Sequence, residues 1–257
     1  DHKTIQMPIG LVSKAVGTAA LPSMADLAAK KDMEGFKKTV IYTLRMIISI
    51  MVPIVFMTIV LSEQIIRIVY ERGEFTIDST YVTSYALICY IISLIGAGGT
   101  NILTQAFYAL KDIKTLVNVG LISIVINIVM NILLIKPLQL GGLALASSLS
   151  LTYYFIALMY ILDSKHLKSI DFEYLYRIFL KYVIASLGGA VLANYTLKFV
   201  MQFTSQKVNL ISSMIELVVP SAIGFSAIAV FYKLMKLEEF DIFAEPLKRR
   251  FKRIFSR

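Results

Sequence analysis

The chain has 257 residues, 57% of them hydrophobic and 17% charged, with a formal net charge of +9 and a mean hydropathy of +0.73. The apolar residues gather in long runs that no soluble core needs, which excludes an ordinary soluble domain. A single cysteine excludes a disulfide framework.

Seven apolar stretches are expected as helices, over 5–27, 40–61, 80–110, 116–135, 141–162, 179–200 and 210–234. Each is long enough to cross roughly 30 Å of hydrocarbon. In lipid a backbone must satisfy its own hydrogen bonds, and a helix does so. The expected fold is therefore an all-α polytopic membrane protein.

The first stretch opens on Asp1 near the top of a span, so the chain reads as the C-terminal portion of a longer protein. Lys3, Gln6, Gly10, Lys14 and Gly17 recur every three or four residues and share one helix face. A charge inside a span usually faces a bundle interior or a wet cavity, here one suited to an anion. Snorkelling to the surface is the alternative for Lys3. Lys30, Lys31, Lys37 and Lys38 follow, and then the second stretch, which contains Pro53. A short helix is expected over 63–70, ahead of an outer loop with Gly73 as a turn and Asp78 or Ser79 as the next cap. The gap 62–79 holds only Arg67 and Arg72 against four carboxylates.

In the third stretch Gly96, Gly98 and Gly99 are expected to interrupt the helix, with Asn101 and Gln105 one turn apart just beyond. Cys89 reads as a small buried hydrophobe. Lys111 and Lys114 mark the next tight turn. Ser123, Asn127 and Asn131 share a face of the fourth stretch, and a five-residue turn makes the fifth its antiparallel neighbour. Those amides and hydroxyls suit either a small hard cation or plain interhelical hydrogen bonding. Lys165, Lys168 and Arg177 occupy the fifth gap, and Lys207 alone lies in the sixth. Pro220 lies inside the last stretch, and Glu216 is expected at its outer interface.

The basic gaps alternate along the chain, and basic loops stay cytoplasmic. The C-terminus is therefore expected inside. Phe240, Phe243, Leu247, Phe251 and Phe255 recur at helical spacing among Lys248, Arg249, Arg250, Lys252 and Arg253. Residues 235–257 thus read as a basic amphipathic tail that meets anionic membrane lipids. The same charge needs no nucleic acid to explain it. His2 and His166 are far apart, and the sequence offers no phosphate loop, nucleophile elbow or Cys/His cluster, so no enzyme is expected.

Four segments carry a family resemblance. They are Gln6-Met7-Pro8-Ile9-Gly10 with Ala15-Val16-Gly17-Thr18-Ala19-Ala20-Leu21-Pro22, then Tyr70-Glu71-Arg72-Gly73-Glu74-Phe75 with Asp78-Ser79 shortly behind, then Ala106-Phe107-Tyr108-Ala109-Leu110-Lys111-Asp112-Ile113-Lys114-Thr115, and Gly141-Gly142-Leu143-Ala144-Leu145-Ala146-Ser147-Ser148. In this order they make the chain resemble the C-terminal half of the MurJ/MviN lipid II flippases, within the multidrug/oligosaccharidyl-lipid/polysaccharide exporter superfamily. The resemblance implies seven helices forming one lobe, residues 1–234, of a two-lobed, fourteen-helix transporter in the bacterial cytoplasmic membrane. It implies movement of lipid II, the undecaprenyl-pyrophosphate disaccharide-pentapeptide, from inner to outer leaflet by alternating access. The N-terminal lobe would be the missing partner.

Lys3 stands five residues before Pro8, where the family commonly carries Arg; the charge is kept and the bidentate fork is not. Lys3, Gln6 and Lys14 are the expected substrate-binding residues. Asn127, Asn131 and Ser147, with the Leu143 carbonyl, resemble a sodium site of some members, which would make sodium the coupling ion; no other cofactor is expected. Rival readings are a flippase for another polyprenyl-linked glycan, a drug/cation antiporter of the same superfamily, and a membrane scaffold without transport.

Overall fold

The computed structural model describes residues 17–70, 77–168, 170–204 and 210–239. These are all-helical. Residues 17–29 form α1. After it come α2 (Met33–Tyr70), α3 (Ile77–Ile91), α4 (Ser93–Ala109), α5 (Ile113–Leu162), a π-helical turn (Asp163–Leu167), α6 (Phe172–Thr204) and α7 (Leu210–Leu234).

Short polar signals set the helix boundaries. Asp32 accepts from the Gly35 amide at 2.9 Å and starts α2; Asp171 accepts from the Tyr174 amide at 2.9 Å and starts α6. At helix ends the chain turns left-handed on a lysine: Lys31 (φ 59°), Lys111 (φ 59°), Lys168 (φ 53°) and Lys236 (φ 53°). Three of these turns close by the same long backbone bond, Asp32 to Leu27, Asp112 to Phe107 and Leu237 to Tyr232, each at 3.0 Å. Glycine is the usual residue there, and a Cβ costs about 1 kcal/mol. A lysine recovers part of that cost by placing an ammonium at the negative end of the helix dipole.

The described residues do not present seven separate spans. Five helical segments are long and apolar enough to cross a membrane: Met33–Tyr70, Asp78–Ala109, Ile113–Leu167, Phe172–Thr204 and Ser212–Leu234. Two causes account for the difference. Most of the first stretch lies outside the described residues. The fourth and fifth stretches join in α5, which doubles back at Gln139 (φ 48°, ψ −124°). Contacts between its arms pair Leu116 with Tyr154, Ser123 with Ser150, and Leu134 with Gly142, as an antiparallel hairpin requires.

Two more expectations change. The helix expected over 63–70 is no separate element but the end of α2, which carries Arg67. The three glycines do not interrupt α4; the break falls at Ile92, between α3 and α4. The glycines admit neighbours instead. A Cβ at Gly99 would lie 2.3 Å from the Phe155 ring, and one at Gly96 3.1 Å from the backbone of Leu151.

Helix α2 is the mast of the bundle. Its first half enters one apolar core with Met24, Ile102, Phe107 and Leu158, and its second half enters another with Tyr182, Ala193 and Ile228. Helices α3 and α4 pack on α2 and carry α5, and α6 and α7 pack on each other and on α2. Burial of these cores stabilises the bundle by packing, since lipid gives little hydrophobic drive between helices. The outer surface is apolar as well: Leu121, Val125, Ile128 and Ile132 of α5, and Ile184, Val191 and Phe199 of α6, are exposed. Such a surface suits hydrocarbon rather than water.

Candidate functional site

Lys3, Gln6 and Lys14 lie outside the described residues, as do Phe240, Phe243, Leu247, Phe251 and Phe255 of the tail. Gly17, the last member of the predicted stripe, is buried. A Cβ there would lie 3.5 Å from Gln105 Cγ and 3.7 Å from the Asn101 carbonyl. The structure thus brings the first helix onto the polar pair of α4.

The opposite face of α1 differs from every outward face of α5 and α6. Thr18, Ala19, Pro22, Ser23, Ala25 and Asp26 are exposed, and α1 exposes no large apolar side chain among the described residues. Small and polar side chains suit a wet cleft or a close partner, not acyl chains.

The polar residues of α5 form a seam between its two arms. Ser123 donates to the Ser150 carbonyl at 2.9 Å, and Asn127 Nδ2 donates to Ser150 Oγ at 3.1 Å. Asn131 Nδ2 donates to Asn127 Oδ1 at 3.0 Å. Ser147 donates back to the Leu143 carbonyl at 3.1 Å, and Ser148 crosses to the Cys89 carbonyl at 2.7 Å. These bonds answer the hydrogen-bonding reading of the sequence. They also engage two of the four expected sodium ligands, because Asn127 Oδ1 and the Leu143 carbonyl already accept hydrogens. Asn131 Oδ1 is buried without a hydrogen-bond partner, so a neutral oxygen remains that a cation would satisfy.

Three charged clusters were not anticipated. Glu216, expected at the interface, is buried and meets Arg67 at 3.5 Å, while Thr204 donates to its other oxygen at 2.5 Å. Arg45 of α2 meets Glu239 at 2.6 Å and Glu238 at 3.1 Å, and donates to the Tyr174 hydroxyl at 2.9 Å. The signal for Arg45 was in the sequence: it is an ionisable residue inside the 40–61 run, the criterion that singled out Lys14. Asp112, the α5 cap, gathers Lys165 Nζ at 2.7 Å, His166 Nε2 at 3.0 Å and Thr115 Oγ1 at 2.8 Å. Burial of Asp112 opposes its ionisation, but the hydrogen bonds from Lys165, His166 and Thr115 prevail and hold the carboxyl well below its ordinary range.

Comparison with known proteins agrees with this architecture. The family model described as "Lipid II flippase MurJ" matches residues 2–218. The chain is 32% identical over 163 residues to the probable lipid II flippase MurJ of Rickettsia prowazekii (strain Madrid E), which spans 63% of this chain and 32% of that protein. To the probable lipid II flippase MurJ of Vibrio cholerae serotype O1 it is 30% identical over 160 residues, spanning 62% and 30%. A solved structure, "Lipid II flippase MurJ, inward closed conformation", superimposes with a TM-score of 0.66 at 25% identity, covering 91% of this chain and 46% of that one. The chain thus spans about a third of the curated relatives it matches. With more than half of its length matched and the same helical architecture, it belongs to the MurJ lipid II flippase family.

Proposed function

We propose that this chain is the C-terminal lobe of a transporter that flips lipid II from the inner to the outer leaflet by alternating access. The family match over residues 2–218 carries the reading. In this reading the arms of α5 each cross the membrane, and with α1 they complete seven spans of a fourteen-helix, two-lobed protein of the bacterial cytoplasmic membrane. The end of the bundle with the left-handed lysines faces the cytoplasm, as basic loops do. The tail after Glu239 lies there against anionic lipids.

The chemistry follows from the cargo. Two phosphates and a sugar–peptide head group cannot pass through hydrocarbon bare, so fixed cations must replace their hydration in a wet cavity. Lys3 and Lys14 supply that charge and Gln6 a hydrogen bond. The small face of α1 turns to the cavity and to the N-terminal lobe. Sodium would be held by Asn131 Oδ1 with Asn127, Ser147 and the Leu143 carbonyl, supplying the positive charge that couples transport to an ion gradient. Cells depleted of their own flippase test the reading. The full-length protein should restore lipid II export and growth, and Lys3→Ala with Lys14→Ala should lose at least tenfold of that export. Normal export by the double variant would sink the cavity assignment.

A further inference from the structure

Among α2 to α7, the α6–α7 hairpin lays its backbone close to no helix outside itself except α2. A hairpin so isolated would be free to act as a gate unless something fastens it. Two ion pairs with buried carboxylates do so. Near one end, Arg45 of α2 meets Glu239, just past α7, with the two side chains 12% and 3% exposed. Near the other, Arg67 of α2 meets Glu216 of α7, and Thr204 of α6 holds the same carboxylate. Between them, Tyr232 of α7 donates to the Ser49 carbonyl of α2 at 2.8 Å.

The spacing is informative. Arg45 and Arg67 are twenty-two residues apart on α2, roughly 33 Å of helix. That matches the hydrocarbon thickness of a bilayer. Glu216 and Glu239 are twenty-three residues apart along the antiparallel partner. Helix α7 is therefore fastened at both edges of the apolar layer. A buried pair adds little over good apolar packing, but separating its halves strands uncompensated charge. Swinging the hairpin off α2 would leave the buried Glu216 and Glu239 carboxylates without their guanidiniums.

We propose that Arg45 and Arg67 are positioning residues that lock the α6–α7 hairpin onto α2, so that these three helices move as one body during transport and the passage opens elsewhere. The transport half of this statement rests on the flippase reading above.

The test is a cross-link between α2 and α7 in the full-length protein, on a cysteine-free background. Met57→Cys with Gly224→Cys suits it, since a Cβ at Gly224 would lie 2.6 Å from Met57 Cε. Oxidation or a short bis-thiosulfonate reagent closes the pair. Export after closure is expected to stay within twofold of the open protein. Loss of export on closure, restored by reduction, would overturn the lock. If the full-length parent moves no lipid II at all, the flippase reading fails instead, and the lock is then decided by stability, as it is if only the double-cysteine protein is inactive. Arg45→Glu and Glu239→Arg are each expected to lower the melting temperature in detergent, and the double swap to restore it. A Glu239→Arg protein that melts like the parent would overturn the proposal by itself.

Discussion

Asp112 carries two tasks in one side chain. It caps α5 through Thr115, and, when ionised, it ties the turn after α4 to the turn after α5 through Lys165 and His166. Its carboxyl titrates below the ordinary range, so the folded state binds a proton there less readily than the unfolded chain. Its stabilisation is therefore complete above the unfolded carboxyl value, about pH 3.9, and is lost as pH falls below that. Asp112→Asn should melt lower than the parent at pH 7, and the gap should narrow steadily below pH 4. A gap that is flat with pH would show that the cap, not the charge, is what matters. The lysines at 31, 111, 168 and 236 follow the same economy: each ends a helix and adds a cation to the same end of the bundle.

The hairpin within α5 depends on close backbone approach. A Cβ at Gly142 would lie 2.2 Å from the Leu134 carbonyl oxygen, a backbone atom that cannot rotate away. Gly142→Ala should therefore open the reversal and cost about 1–3 kcal/mol, as overpacking does. Thermal unfolding in detergent measures it, and Ser147→Ala on the same arm serves as a milder control. The sequence announced this hairpin well: two apolar runs, a five-residue gap, and small and polar residues on both runs. It announced the helices for the same reason, because lipid leaves a backbone few other choices. It did not announce that α2 runs unbroken past Ser62 into the helix expected over 63–70. Hydropathy falls at Ser62, but the helix runs on to Tyr70 because Gln64 and Ile66 are buried against neighbours that only the fold supplies. The ion pairs of Arg45 and Arg67 were hidden likewise. Their partners lie more than 140 residues away, and no local pattern couples such distant positions.

The molecule as a whole has two kinds of outer surface. Most of α5 and α6 presents long aliphatic and aromatic side chains, whereas α1 presents Ala19, Ser23 and Asp26. If the first faces lipid and the second does not, one substitution should have opposite outcomes on the two. Ile128→Arg should cost about 2.5–3.5 kcal/mol of insertion at mid-membrane and deplete the protein from the membrane fraction. Ala19→Arg should insert normally, whatever it does to transport. Equal depletion by both would mean that α1 also faces acyl chains. The polar seam of α5 obeys the same division, since Ser123 and Asn127 turn inward while Ile124 and Ile128 turn out.

The reversal at Gln139 has a consequence for biogenesis. The chain turns within a few residues, and Lys136 is the one charge between the arms. If both arms cross the membrane, as proposed, a translocon receiving this segment has almost nothing hydrophilic to push through, and both arms can leave the channel sideways together. Lengthening that turn with a charged insert would impose a translocation step that the native chain avoids.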